Sequence, residues 1–152
     1  MKAYGLDKNG MDLSFTYGEV TLEGSKDEAR FRRKMEEREA QPMAGWHTDM
    51  SRSLEDILFT KYLAECRREP ASKVKKLTLI VLTDGIWQGM RDREGVDRVI
   101  MDFAKEMEKI SGFALRKSER RVSIEFVQFG YDVDATARLR RLDDDLPYEG
   151  VP

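Results

Sequence analysis

Two side chains stand where metal or ligand chemistry is most easily done: the carboxylate of Asp84 and the hydroxyl of Thr48. Asp84 closes the stretch Lys76-Leu77-Thr78-Leu79-Ile80-Val81-Leu82-Thr83-Asp84-Gly85, in which Leu77 to Leu82 are all apolar or β-branched. So short a run, with no period of its own, reads as a strand buried on both faces. In open α/β sheets ligands bind outside the carboxyl ends of the strands, and Asp84 is the residue met there. Asp-Gly is also a common turn dipeptide, so Asp84 serves equally well as the cap of the following turn. Thr48 follows a loop broken by Pro42 and Gly45 and opens a helix. Oxygen donors of these two kinds suit Mg²⁺ or another hard divalent cation.

Other chemistries lack their parts. The strand ending in Asp84 is similar to the acidic strand of a phosphate-loop nucleotidase, but the G-x-x-x-x-G-K-[ST] loop is absent from the sequence. An aspartate nucleophile at a strand end would want a second carboxylate two residues on, and that position is Ile86. His47 is the single histidine and Cys66 the single cysteine, far from each other in sequence, so no zinc set is suggested. No G-x-S-x-G elbow occurs. The basic run Arg116-Lys117-Ser118-Glu119-Arg120-Arg121 has no interleaved aromatics for stacking bases. The expectation is a chain that is not an enzyme, without hydrolase or phosphotransferase activity. A metal-assisted enzyme centred on Asp84 is the second reading, and a purely structural fragment the third.

The 152 residues suffice for one domain with a core, 37% of them charged and 40% hydrophobic. A net charge of −2 gives no pull toward nucleic acid or an anionic membrane. One cysteine permits no internal disulfide. No apolar run approaches the roughly 20 residues of a membrane span, and the start of the chain has no apolar signal region. A cytoplasmic protein is expected, with no membrane and no nucleic acid among its partners.

These side chains need elements to hold them. Asn9-Gly10 signals a turn with positive φ. Met11, Leu13 and Phe15 then alternate with polar residues, as in a strand, and Val20 and Leu22 suggest a second. Gly24 to Glu39 reads as a surface helix, Ser25 and Glu28 forming a capping-box pattern. Thr48 or Ser51 can cap the next helix, whose Leu54, Ile57, Leu58 and Tyr62 share one face, with Cys66 near its end. After the central strand, Val96, Val99, Ile100, Phe103, Met107 and Ile110 fall at helical spacing. Val122 to Phe129 is a strand closed by Gly130, and Asp132 or Asp134 caps a last helix with Ala135, Leu139 and Leu142 inward. Strands alternating with helices predict parallel βαβ units in a layered α/β domain.

Taken together, these motifs resemble a family. Gly45-Trp46-His47-Thr48-Asp49-Met50 with Leu54, Ile57 and Tyr62 looks like the threonine loop and helix of von Willebrand factor A-type domains. Leu77 to Gly85 looks like their strand ending in T-D-G. Leu6 to Thr16, Val122 to Gly130 and Leu139 to Leu146 resemble the corresponding strands and helix of the fungal branch. The resemblance spans about 6–146, within a single domain over 1–152 whose residues 147–152 form a tail. It implies a Rossmann-like layered sheet of mainly parallel strands with helices on both faces, acting as a protein-interaction module. It also implies a metal-ion-dependent adhesion site in which Thr48 is the threonine and Asp84 the aspartate. The family's D-x-S-x-S element should precede residue 6, where this chain lacks it. Asp49-Met50-Ser51-Arg52-Ser53 matches D-x-S-x-S letter for letter, making Asp49, Ser51 and Ser53 an alternative metal set. That motif needs a buried strand directly before it, and Glu37 to Trp46 is polar and contains Pro42, so Thr48 fits the family better. The implied metal is Mg²⁺, bound weakly or not at all. The implied partner is a protein, with a homodimer through the incomplete sheet as one form of it.

Overall fold

In a computed structural model of the chain, the structure describes residues 10–16, 21–37, 47–110, 121–144 and 146. The chain divides into two compact units, Met1–Trp46 and His47–Pro152.

The first unit holds the strands β1 (Met11–Ser14) and β2 (Thr21–Ser25) and the helix α1 (Glu28–Glu36). β1 and β2 pair antiparallel, Leu13 opposite Leu22 and Ser14 opposite Thr21, with a register irregularity between Met11 and Leu13. Gly10 has φ +85°, and a Cβ there would lie 2.5 Å from the Gly24 carbonyl oxygen. The turn signal and the close approach of the two strands thus meet at one glycine. Helix α1 starts later than the capping-box pattern predicts. Ser25 is the last residue of β2, and Asp27 is the N-cap, its carboxylate accepting from the amides of Ala29 and Arg30. An aspartate caps as well as a serine.

The second unit runs α2 (Met50–Glu55), a π-helical stretch (Asp56–Leu63), α3 (Ala64–Arg68), β3 (Leu77–Thr83), α4 (Gly95–Lys109), β4 (Val122–Gln128) and α5 (Val133–Asp144). The first three form one continuous helical rod over 50–68. π-helical turns widen a helix and move its buried stripe. Leu54, Leu58, Tyr62, Leu63 and Cys66 are buried, while Ile57, expected on that face, is only half-buried. In α4 the spacing holds: Val96, Phe103 and Met107 are buried, with Val99 and Ile100 packed beside them. The Phe103 ring meets Phe59 edge-on at 5.9 Å and Tyr62 at 6.3 Å. The Tyr62 hydroxyl donates to the Lys75 carbonyl at 2.9 Å, and burial first, then the nearby Cys66, pushes its pKa up to about 12.

β3 and β4 are parallel and in register from Leu77 opposite Val122 to Thr83 opposite Gln128, α4 forming the crossover. Here the structure corrects two expectations. Among the described residues the fold is mixed α/β with two small sheets, one parallel, and these do not make a clear layered Rossmann-like sheet with helices on both faces. Nor is β3 buried on both faces. Leu77, Leu79 and Val81 of β3 and Val122, Ile124 and Phe126 of β4 pack on the helical core, whereas Ile80, Leu82 and Val127 are 48%, 51% and 41% exposed. An apolar run says that both faces can be buried, not that a second layer is there to bury them.

Candidate functional site

The carboxyl end of β3 is built around the Thr83 hydroxyl, which accepts from the Gly85 amide at 2.9 Å and the Trp87 indole N–H at 3.0 Å. Thr83 and Trp87 are both buried. The threonine of T-D-G is therefore the pin that folds the chain back over the strand end. Trp87 closes the top of the core, tilted against Phe126 at 6.0 Å, and carries the Arg138 guanidinium 5.2 Å above its ring. Arg138 also donates to the Gly85 carbonyl at 2.6 Å, tying α5 to the loop. Gly85 has φ +77°, and a Cβ there would sit 2.6 Å from that of Ala135, so only glycine allows α5 so close. The side chain of Asp132 caps α5 through the Ala135 amide at 2.8 Å.

Asp84 is exposed, and one of its carboxylate oxygens accepts from the Ile86 amide at 2.9 Å. It caps its own turn, as the Asp-Gly dipeptide allows. The segment carrying Thr48 lies against the same loop. The Gly89 amide donates to the Thr48 carbonyl at 3.0 Å, and a Cβ on Gly89 would press on the His47 and Thr48 main chain at 2.8–2.9 Å. The structure thus joins the two segments that sequence singled out, through the Thr48 main chain.

Asp49, Ser51 and Ser53 form a helix cap. The Asp49 carboxylate accepts from the Ser51 hydroxyl at 2.6 Å and the Arg52 amide at 3.1 Å, and the Ser53 hydroxyl donates to the Asp49 carbonyl at 3.0 Å. Partial burial works to raise the Asp49 pKa, but the hydrogen bonds from Ser51 and Arg52 outweigh it and hold the group below its ordinary value. The N-cap is Asp49 rather than the expected Thr48 or Ser51.

Asp49 and Ser51 also line an open cleft of about 660 Å³ between the helical rod and α4. Its acids, among them Asp92, Asp102 and Glu106, are interleaved with Arg67, Arg98 and Lys109. Arg67 pairs with Glu106 at 2.7 Å, and Arg98 with Asp92. Mixed signs of this kind make a solvated groove rather than an anion or cation trap.

The residues suit a tightly held divalent cation poorly. Thr48 brings a neutral hydroxyl and Asp84 one carboxylate already engaged in its turn, while the carboxylate of the alternative set is turned to capping α2. Among the described residues no group of three or more His, Cys, Asp or Glu side chains is placed to hold a metal.

No family model, curated protein or solved structure matches this chain.

Sequence reasoning passed over Trp87 and Arg138, which do the most to shape this end of the molecule. For Trp87 a signal was present, a tryptophan four residues after the strand-ending threonine. The basic run Arg116 to Arg121 lies outside the described residues except for Arg121, whose guanidinium donates to the Val74 carbonyl at 3.2 Å. Gly45-Trp46, Leu6 to Asn9 and the tail 147–152 also lie outside them. Among the described residues no helix is long and apolar enough to cross a membrane.

Proposed function

We propose that the chain is a protein-interaction module, similar in plan to a von Willebrand factor A-type domain, that performs no catalysis. The observation that carries this is the bare sheet face. Ile80, Leu82, Val127 and Phe129 are 41–59% exposed on one side of β3 and β4 and just beyond. Contiguous exposed apolar surface of this kind marks interaction sites. Asp84 stands on the same alternation as Ile80 and Leu82, so the patch runs up to the carboxyl end of the sheet with an acidic residue at its rim. The family likeness is supported by the parallel β3–α4–β4 unit, the threonine-pinned T-D-G turn and the Thr48 segment docked beside it. In this reading the adhesion site is degenerate and the partner is gripped by apolar contact.

Calorimetric titration with Mg²⁺ and Mn²⁺, run beside an assay of a general phosphatase substrate, tests the non-catalytic half of the proposal. Neither micromolar metal binding nor turnover is expected, because Mg²⁺ keeps most of its waters unless carboxylates hold it firmly. Turnover that disappears in Asp84→Ala would overturn the reading. Micromolar metal binding lost in Asp49→Ala would promote Asp49, Ser51 and Ser53 to a true first motif.

A further inference from the structure

We infer that the free edge of β3 pairs antiparallel with the same edge of a second copy of this chain, forming a continuous β4–β3–β3–β4 sheet across a two-fold axis. Among the described residues β3 is hydrogen-bonded along one edge only, to β4. Its free edge runs from Leu77 to Thr83 with no charge, proline or bulge. Those are the devices that keep exposed edges from pairing. An edge without them is a template for another strand, and backbone donors and acceptors are best satisfied in a ladder.

The order of side chains along β3 selects a second copy as that strand. Within β3 the bare-face alternation runs Thr78, Ile80, Leu82, and one further step past each strand end reaches Lys76 and Asp84, both exposed. This series is self-complementary about Ile80. In an antiparallel pairing centred there, Lys76 of each copy lies across from Asp84 of the other, Thr78 across from Leu82, and Ile80 across from Ile80. An isologous two-fold contact requires this kind of self-matching. The two opposite-charge crossings fix the register, since a slip of one residue would turn the apolar set to the other face. On the opposite face Leu79 meets Val81, so the two helical cores join edge to edge. A parallel arrangement would instead set Lys76 beside Lys76 and Asp84 beside Asp84.

The inference goes beyond the proposed function. A monomer would remove the dimer and leave the bare-face reading standing, so the two fail separately.

The test is the molar mass of the full chain by light scattering, in chelator so that no metal takes part. The wild type is expected at twice its 17.7 kDa. Lys76→Glu alone and Asp84→Lys alone each place like charges at both crossings. Each is expected to weaken self-association at least about tenfold, with far-UV circular dichroism unchanged. An equimolar mixture of the two variants restores opposite charges at both crossings and is expected to dimerise again. A wild type that stays monomeric well above micromolar concentration would overturn the inference, as would variants that dimerise unaltered or a mixture that does not recover. Amide exchange over residues 77–83 provides a measurement that needs no variant. It is expected to slow as the wild-type concentration rises, and exchange independent of concentration would count against the pairing.

Discussion

At the scale of single residues, Asp49 and Asp84 show a polar group serving local geometry where sequence alone suggests ligand chemistry. Asp49 caps α2, Thr83 pins the T-D-G turn and Asp84 closes that turn. For Asp49 this yields a pH-dependent prediction. Its native pKa lies below the ordinary 3.8, burial opposing and the Ser51 and Arg52 hydrogen bonds prevailing. A lowered carboxylate pKa stabilises the fold above the unfolded value, and that share is lost as pH falls through the native value. Asp49→Ala should cost about 0.5–2 kcal/mol at neutral pH. Asp49→Asn, which keeps the capping oxygen, should cost less, and its gap from the wild type should close in acid. Chemical denaturation between neutral pH and pH 3 measures both. A gap that widens toward acid would refute the sign.

At the scale of elements, the amphipathic helix α4 brings Val96, Phe103 and Met107 into the core built with the helical rod. Phe103 is 4% exposed and packs on Phe59 and Tyr62. Phe103→Ala is expected to destabilise the second unit by about 3–5 kcal/mol, read as a lowered thermal midpoint. An unshifted melt would show that α4 does not pack as described. This helix was legible because Val96, Phe103 and Met107 repeat with the helical period, and an amphipathic period is the strongest signal a sequence carries. β3 was legible as a strand but not as a half-bare one, because apolar composition does not say which neighbours are present. The buried stripe of the rod was misplaced at Ile57, since the spacing assumes α-helical winding and residues 56–63 wind as a π-helix. The Thr48 segment docks on the loop after Asp84 through the Gly89 amide, a main-chain contact that no sequence motif encodes, and Trp87 and Arg138 carry no motif either. Their roles depend on a stacked pair 51 residues apart in sequence, which no local pattern encodes.

At the scale of the whole molecule, the second unit is a helical core covering one side of a narrow parallel pair, with an apolar face and an uncharged edge left on the other. The proposed function puts recognition on that face rather than in a metal centre between the Thr48 and Asp84 segments. The most direct measurement is quantitative capture of a protein partner by the wild type, Leu82→Glu and Asp84→Ala, each in Mg²⁺ and in chelator. Leu82 is 51% exposed and contributes nothing to the core that Leu79 and Val81 build, so Leu82→Glu alters the face and spares the fold. Capture is expected to survive chelator, survive Asp84→Ala and be lost in Leu82→Glu. Capture that requires Mg²⁺, vanishes in Asp84→Ala and persists in Leu82→Glu would contradict the proposed function.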